Sequence, residues 1–386
     1  MWGRLSTPLG PARLTARIRK IRLRRSARYH LAMAGTGSKQ TPLSRGRAAT
    51  IRDVARVAEV GVGTVSRVVN DHPAVLPATR ERVLAAVAQL RFEPSRAARS
   101  LSLKRTLLIA VVAPFIATAS VVERLRGVMD GVEGTEYDLV IYNVESVRSR
   151  NRHMRRLPRR ERADGAIVIS LAPTEEEEAA FVDAGTPVVF VDAPAVRLPC
   201  VVSDDLAGSA MVTRHLIELG HRRIGFVGDE YPNPHGFTWS NLRQQGFLRA
   251  LQAVGLDAGT DLIATGRFGL EEAYELALGL LRSADRPTAI VAGSDTQALG
   301  VLAAARECNL DVPGQLSVVG YDDIEIARYL GLTTIHQPLF ESGREGARLL
   351  LDSLEAIGDR ESAPVRRVLP ASLLLRRTTA SPPSVT

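Results

Sequence analysis

Two histidines and two cysteines are the first candidates for metal binding or nucleophilic chemistry. His215 and His221 flank a predicted helix end, and Cys200 and Cys308 are far apart and outside any Cys-x-x-Cys spacing. No phosphate-binding glycine loop, His-Glu-x-x-His motif or nucleophile elbow occurs in the chain. We therefore expect structural histidines, free buried thiols in a reducing compartment, no metal, no cofactor and no enzymatic activity. The acidic run 175–178 predicts a solvated helix face.

Basic side chains are concentrated at the front of the chain. Of the 386 residues, 50 are Lys or Arg and 42 are Asp or Glu, which gives a net charge of +8. Residues 1–47 hold 12 basic and no acidic side chains, residues 48–105 hold 10 and 5, and residues 106–386 hold 28 and 37. A cationic front on an acidic body predicts contact with a polyanion, and charge alone leaves DNA, RNA and an anionic membrane open.

The composition is typical of a globular protein of two or three domains, with 45% hydrophobic and 24% charged residues. No apolar run reaches about 18 residues, so we expect no membrane span and a cytoplasmic location. Residues 1–47 lack a signal-peptide core, and three interpretations stay open: a disordered basic arm, a translation start at Met33, or an organellar transit peptide.

After this extension, apolar residues recur at helical spacing and predict three short helices. The helices are expected near 51–58, 62–70 and 80–90, with a break at 59–61 and Pro77 in a first-turn position. The side chains expected to face inward are those of Ile51, Val54, Ala55, Ala58, Val65, Val68, Val69, Val83, Leu84, Val87 and Leu90. Two short helices joined by a three-residue turn predict a helix-turn-helix.

From residue 107 onward, short β-branched runs alternate with amphipathic stretches. The predicted strands are 107–112, 139–142, 166–169, 188–191, 224–227, 289–291 and 317–319, and the predicted helices include 211–219, 244–254, 271–281 and 297–307. This alternation predicts parallel sheets covered on both faces. A stretch of about 280 residues is too long for one such sheet and favours two similar lobes.

Several motifs together carry a family resemblance. In the front part they are Asp53-Val54-Ala55, Thr64-Val65-Ser66-Arg67-Val68-Val69-Asn70, Thr79-Arg80-Glu81-Arg82-Val83 and Pro94-Ser95-Arg96-Ala97-Ala98-Arg99-Ser100-Leu101. In the body they are Leu219-Gly220-His221-Arg222-Arg223-Ile224, Ser240-x-x-Arg243-x-x-Gly246-Phe247, Ser294-Asp295 and Val319-Gly320-Tyr321-Asp322-Asp323. Over residues 50–376 the chain resembles the lactose-repressor (LacI/GalR) family.

The resemblance implies a transcriptional regulator, a repressor that binds a specific DNA sequence under the control of a small molecule. We therefore expect a helix-turn-helix DNA-binding domain (48–92), a hinge helix or linker (93–105) and a two-lobed α/β body of the periplasmic-binding-protein type (106–376), preceded by a basic disordered extension (1–47) and followed by a disordered tail (377–386). The expected partners are a near-palindromic double-stranded operator, a sugar or sugar derivative, and a second copy of the chain, with no membrane.

The family's pattern also implies which residues meet DNA. The second helix would lie in the major groove, with Val62, Gly63 and Arg67 at base edges. The expected backbone and linker contacts are Ile51, Thr64, Ser66, Asn70, Thr79, Ser95 and Ala98. Leu101 would wedge into the minor groove, or would instead begin the core of the body. Thr64, Ser66 and Asn70 would alternatively only cap or solvate their helix.

The headpiece departs from the family's pattern in its turn and its second helix. Glu59 stands where Gly or Asn is usual, which costs about 1 kcal/mol if this position is left-handed. Gly61 replaces a capping Ser, and Gly63 weakens the helix interior by roughly 1 kcal/mol. These departures predict a headpiece of marginal stability.

In the body, the resemblance implies a ligand cleft between the lobes. The effector-binding residues carried over by motif are Asp192, Arg243, Phe268, Ser294, Asp295, Asp322 and Gln337. A planar Arg donor and a carboxylate can grip vicinal hydroxyls, and an aromatic ring can cover the apolar face of a sugar. The alternative for Arg243 and Asp322 is a surface ion pair.

The loop after Pro114, which begins with Phe115, departs from the family's usual Asn-Pro-Phe-Phe-type sequence. Ligand identity, and the choice between inducer and co-repressor, therefore stay open. Three competing interpretations are a sugar-transport binding protein, which lacks a headpiece, an α/β enzyme, and a DNA-binding protein without a ligand response.

Overall fold

The computed structural model describes residues 49–70, 72–92, 105–159, 162–233, 235–356 and 364–383. The chain divides into two units, Met1–Pro94 and Ser95–Thr386. The predicted basic extension and nearly all of the linker, including Ser95, Ala98 and Leu101, lie outside the described residues. Within the described ranges, no helix is long and apolar enough to cross a membrane.

The first unit contains three helices, α1 (Ile51–Val57), α2 (Val62–Val69) and α3 (Pro77–Leu90). The backbone N–H and hydroxyl of Thr50 both donate to the carboxylate of Asp53, which caps α1. Pro77 occupies the first turn of α3, where its missing N–H has no intrahelical acceptor. The core consists of Val54, Ala55, Ala58, Val65, Val68, Val83, Ala86 and Phe92.

One core prediction for α3 is wrong. Leu84 is 50% exposed, and Ala86 is buried in its place. The buried face of α3 follows the spacing 83, 86, 87 and 90, and position 84 lies one step around the helix from that face.

The turn between α1 and α2 contains a left-handed residue, because Glu59 has a φ of 52°. A β-carbon is unfavourable in this conformation, whereas glycine adopts it without a steric penalty. We therefore expect Glu59→Gly to stabilise the first unit by about 1 kcal/mol.

Hydrogen exchange of the headpiece amides in the full chain measures this effect. Glu81→Gly is a matched control, because Glu81 is exposed in the interior of α3, where glycine is expected to cost about 1 kcal/mol. Faster exchange in Glu59→Gly than in the wild type would contradict the prediction.

The second unit contains two six-stranded sheets, which confirms the two predicted lobes. In the N-terminal lobe the strand order is β11-β5-β4-β3-β1-β2, and all neighbouring strands are parallel. Its strands are β1 (Leu108–Pro114), β2 (Asp138–Val144), β3 (Gly165–Ile169), β4 (Val188–Val191), β5 (Cys200–Ser203) and β11 (Arg366–Leu369). Its helices are α4 (Ala119–Val132), α5 (Val147–Arg156), α6 (Glu175–Ala184) and α12 (Leu339–Glu355).

The C-terminal lobe has the strand order β12-β10-β9-β8-β6-β7, with only the β10–β12 pair antiparallel among the described strands. Its strands are β6 (Ile224–Asp229), β7 (Ile263–Gly266), β8 (Ala289–Ala292), β9 (Ser317–Asp322), β10 (Thr333–His336) and β12 (Ser372–Leu374). Its helices are α7 (Asp205–Glu218), α8 (Trp239–Gln252), α9 (Leu270–Leu281), α10 (Asp295–Glu307) and α11 (Glu325–Leu330).

In the described chain, the backbone passes between the lobes at residue 204, at 337–338 and at 370–371. These crossings form the hinge of the body. Loops that follow the carboxyl ends of parallel strands are the usual place for a ligand in such folds.

Helices α4 and α12 pack closely because each has a glycine at the contact. A β-carbon on Gly343 would lie 1.9 Å from the backbone oxygen of Arg124, and one on Gly127 would lie 1.9 Å from that of Phe340. This close approach fixes the position of Arg124 on α4.

The predicted disordered tail is wrong for residues 377–383. The N–H of Arg377 donates to the carbonyl oxygen of Gly331, and the N–H of Val318 donates to that of Thr378, whose side chain is buried. Since β12 ends at Leu374, these bonds hold the following residues against the C-terminal lobe.

Two smaller expectations also differ from the structure. Glu178 belongs to the acidic run predicted to be solvated, but it is buried and its carboxylate accepts from the N–H groups of Val196 and Arg197. Both cysteines are free, yet only Cys200 is buried, and Cys308 is half-buried.

Candidate functional site

The exposed face of α2 carries the side chains predicted to meet DNA. Val62, Arg67 and Asn70 are exposed, with Gly63 beside Val62 at the start of the helix. Thr64 and Ser66 are half-buried on the flanks of this face. Val65 and Val68 anchor the opposite face in the core, so α2 presents one exposed surface that can enter a groove.

Two further predicted contacts lie at helix starts. Ile51 is the first residue of α1, and Thr79 is in the first turn of α3; both are half-buried. Backbone N–H groups in a first helical turn favour anions such as phosphate. A β-carbon on Gly61, the residue before α2, would meet no atom within 4 Å beyond its chain neighbours, so a serine cap fits there.

A cavity lies between the two lobes of the body and encloses about 420 Å³ of atom-free space, counted to its open mouth. The residues lining it are Pro114, Phe115, Thr118, Ser120, Val121, Arg124, Ser170, Asp192, Phe237, Trp239, Arg243, Phe268, Ser294 and Asp322.

On the N-terminal lobe, Arg124 and Asp192 form a buried ion pair with Nη2 and Oδ1 2.8 Å apart. The hydroxyl of Ser170 donates to Oδ2 of Asp192 over 2.6 Å. Gln337 connects this pair to the other lobe, because it accepts from Arg124 and its Nε2 donates to Oδ1 of Asp322 over 2.8 Å. The hydrogen bonds thus link side chains of both lobes across the cleft.

On the C-terminal lobe, the Arg243 side chain is 3% exposed and contacts two carboxylates. Its Nε lies 2.9 Å from Oδ1 of Asp205, and its Nη1 donates to the carbonyl oxygen of Gly293 and lies 3.4 Å from Asp322. The guanidinium also lies over the ring of Tyr321, 3.8 Å from the centroid. Arg243 is therefore the buried counter-ion of two carboxylates, and it also forms part of the cavity wall.

The buried carboxylates of this lobe titrate at unusual pH. Burial raises the pKa of Asp322 to about 6, although Arg243 opposes the shift. Burial also raises the pKa of Asp229 to about 7 and that of Asp295 to about 8. Burial by itself would lower the pKa of Arg243, but Asp205 and Asp322 raise it above its ordinary value, so the guanidinium stays charged.

Aromatic rings form the apolar side of the cavity. Phe115 and Phe268 stack at 19° with centroids 6.4 Å apart, and Trp239 meets Phe268 edge-on at 5.9 Å. Phe115, from the loop that departs from the family's usual sequence, is thus part of the wall. An aromatic wall opposite paired charges suits a ligand with one apolar and one hydroxylated face.

The backbone is strained where it meets the cavity. Positive φ values occur at Phe115 (43°), Ser170 (55°), Asp192 (58°) and Asp322 (118°). Each conformation is costly for a residue with a β-carbon, and such strain clusters at ligand sites.

The cavity brings together five of the seven predicted effector residues, namely Asp192, Arg243, Phe268, Ser294 and Asp322. Gln337 lies behind the wall, bonded to Asp322. Asp295 does not line the cavity, because its carboxylate accepts from the hydroxyl of Thr334 and the N–H of Ile324.

Arg124, Ser170 and Trp239 line the cavity and were not predicted from the sequence. The signal available for Arg124 was a basic residue between Val121 and Leu125 on the apolar face of its helix.

His221 fits the structural role expected of it, since its ring nitrogens contact the hydroxyls of Thr288 and Ser317.

Both units of the chain match families of known proteins. "Bacterial regulatory proteins, lacI family" describes residues 50–95, and "Periplasmic binding protein-like domain" describes residues 213–379. The HTH-type transcriptional repressor PurR of Serratia proteamaculans (strain 568) is 33% identical over 343 residues, which cover 87% of this chain and 98% of that protein.

Two solved structures are similar over 86% of this chain. The lac repressor dimer bound to operator and the anti-inducer ONPF has a TM-score of 0.74 at 27% identity, with 100% of that chain covered. The complex of the transcriptional regulator CelR with cellobiose has a TM-score of 0.63 at 30% identity, with 99% of that chain covered. The chain therefore belongs to the lacI family of bacterial regulatory proteins, and it is a DNA-binding transcriptional regulator whose body accepts a small-molecule effector.

Proposed function

We propose that this regulator is a repressor that binds a near-palindromic operator as a homodimer and changes its affinity when a sugar-like molecule occupies the cleft. The exposed face of α2 is the main support for base reading. Val62 can touch a thymine methyl, Arg67 can bond a guanine edge, and the hydroxyls of Thr64 and Ser66 with the amide of Asn70 can reach phosphates.

The linker completes the proposed DNA contact, although it lies outside the described residues. In this proposal Ser95 and Ala98 contact the DNA backbone, and Leu101 from each of two subunits wedges between base pairs in the minor groove. Two linkers must meet to do so, which requires a dimer and a site with inverted symmetry.

The charges of the cleft favour an uncharged, hydroxylated effector. Arg124 and Arg243 are both paired with carboxylates, so neither is a free cation for an anionic ligand. Paired guanidinium and carboxylate groups can instead donate to and accept from vicinal hydroxyls, while Phe115 and Phe268 cover an apolar ring face. The bound cellobiose of the CelR complex supports this class of ligand.

We propose binding without turnover. The relatives described above are named as regulators, and the cavity-lining residues include no cysteine or histidine nucleophile–base pair. A ligand can then act only by binding one state of the body more tightly than the other.

Arg67→Ala is expected to weaken binding to the operator by about 10- to 100-fold and to relax the preference at one base pair of each half-site. The reason is the loss of a guanidinium that reads a base edge rather than a phosphate. Fluorescence anisotropy with an inverted-repeat duplex and a panel of single-base variants measures both effects.

Arg82→Ala is the matched control, since Arg82 is exposed on α3, outside the proposed reading face. Equal losses in the two variants would contradict base reading by Arg67. The same titration with neutral mono- and disaccharides tests the effector, and an operator affinity that no sugar changes, together with no thermal shift of the body, would refute the sugar proposal.

A further inference from the structure

One face of the N-terminal lobe carries a stripe of exposed arginines that the proposed function does not use. Arg148, Arg152, Arg155 and Arg159 are exposed and recur three or four residues apart along α5 and the 3-10 turn Leu157–Arg159 that continues it. This spacing places them on one side of the helix, and we call them the arginine stripe. By helical rise the stripe is about 16 Å long.

The stripe is not neutralised within the described part of the chain. None of its four guanidinium groups has a carboxylate oxygen within 4.0 Å there. The contrast is Arg150 on the same helix, which is buried and bidentate to Glu177.

A neighbouring histidine reports the local field. Burial lowers the pKa of His153, and Arg152, Arg156 and Arg162 lower it further. The face around α5 is therefore positive enough to disfavour one more cation.

The stripe runs toward the edge of the lobe at which the chain arrives from the linker. Asp164, just before β3, accepts hydrogen bonds from the N–H groups of Thr106 and Leu107, just before β1. Parallel β1 and β3 start side by side there, with Ile109 opposite Gly165. Since α5 leads into this edge, Arg155 and Arg159 lie at the end of the lobe where β1 begins.

We propose that the arginine stripe is a second DNA contact, which holds the sugar–phosphate backbone beyond the base pairs that α2 reads. The inference rests on the proposed operator binding. Duplex DNA carries one charge per about 1.7 Å of axis, so a stripe about 16 Å long faces several phosphates. Four exposed guanidinium groups in a row suit such an extended backbone. A site for a small anion would instead be expected to include a buried polar side chain.

The test compares two duplexes and two variants of the full chain. One duplex is the operator alone, about 20 base pairs, and the other extends it to about 60 base pairs with neutral flanking sequence. The stripe variant is Arg152→Gln/Arg155→Gln/Arg159→Gln. The control, Arg249→Gln/Arg282→Gln/Arg306→Gln, removes the same charge from exposed positions of the C-terminal lobe.

We expect the stripe variant to lose about tenfold in affinity for the long duplex at moderate salt, with a salt dependence shallower by about two to three released ions for each subunit. Its affinity for the short duplex and that of the control for either duplex should stay within about twofold. Hydroxyl-radical footprints should lose their flanking protection only in the stripe variant.

Equal wild-type affinities for the two duplexes, or equal losses in the two variants, would overturn the stripe proposal. An acidic protein or small anion as the occupant would appear as unchanged DNA binding in the stripe variant and would overturn it too. A wild type that fails to bind the short duplex would instead count against operator binding itself, so the two failures are distinguishable.

Discussion

Replacing Arg243 by alanine is expected to destabilise the body by about 3–5 kcal/mol. The guanidinium is buried, pairs with Asp205 at 2.9 Å and Asp322 at 3.4 Å, and covers the ring of Tyr321. Alanine leaves two buried carboxylates without their counter-ion, which costs more than the lost contacts. The structure therefore indicates a variant that loses stability as well as a side chain of the cavity wall.

Chemical denaturation followed by tryptophan fluorescence measures this effect, because Trp239 lies 4.8 Å from the Arg243 guanidinium. Arg249→Ala is the matched control, since Arg249 is exposed on the same helix and should change the free energy of unfolding by less than about 0.5 kcal/mol. Equal stability of the two variants would contradict the stabilising role of Arg243 as the counter-ion of the two carboxylates.

Raising the pH from about 7 to about 9 is expected to lower the free energy of unfolding of the body by on the order of 2 kcal/mol. Asp229 and Asp295 have folded pKa values of about 7 and about 8, raised by burial above the ordinary 3.8. In the folded state they keep protons that the unfolded chain has released. This stabilisation is complete below the unfolded pKa and is lost as the pH rises through the folded values.

Denaturation at a series of pH values measures the slope. Asp295→Asn keeps a neutral side chain beside Thr334 and Ile324 and should make the alkaline loss shallower, whereas the exposed Asp130→Asn should keep the wild-type slope. Burial lowers the pKa of His215 and His221, so both are neutral throughout this range. An alkaline loss of the same size in Asp295→Asn would contradict the assignment.

The most apolar strands were predictable from the sequence, and several other elements were not, including the buried interior strands β5 and β10. The all-apolar run at 188–191 coincides with β4, since a strand buried on both faces has no polar residue to interrupt it. Edge strands β7 and β11 were missed because they are partly or largely exposed and carry no such run. Helix α4 was missed because its buried Arg124 interrupts the apolar stripe.

The site shows the limit of motif reasoning. The motifs located Arg243 and Asp322, but they grouped Ser294 with Asp295 because the two are adjacent in sequence. Ser294 is the N-cap of α10 and faces the cavity, whereas Asp295 starts the helix and points into the lobe. Neighbouring residues at the start of a helix point in different directions, so only one of the two side chains faces the cavity.

The repeated passage of the backbone through the hinge has a practical corollary for engineering. Each lobe is assembled from separate stretches of the gene, so neither half can be produced from one uninterrupted fragment. A stop codon after position 365 would remove the edge strands β11 and β12 together, one from each sheet. Split reporters and shortened expression fragments of this regulator should therefore keep the residues up to 383.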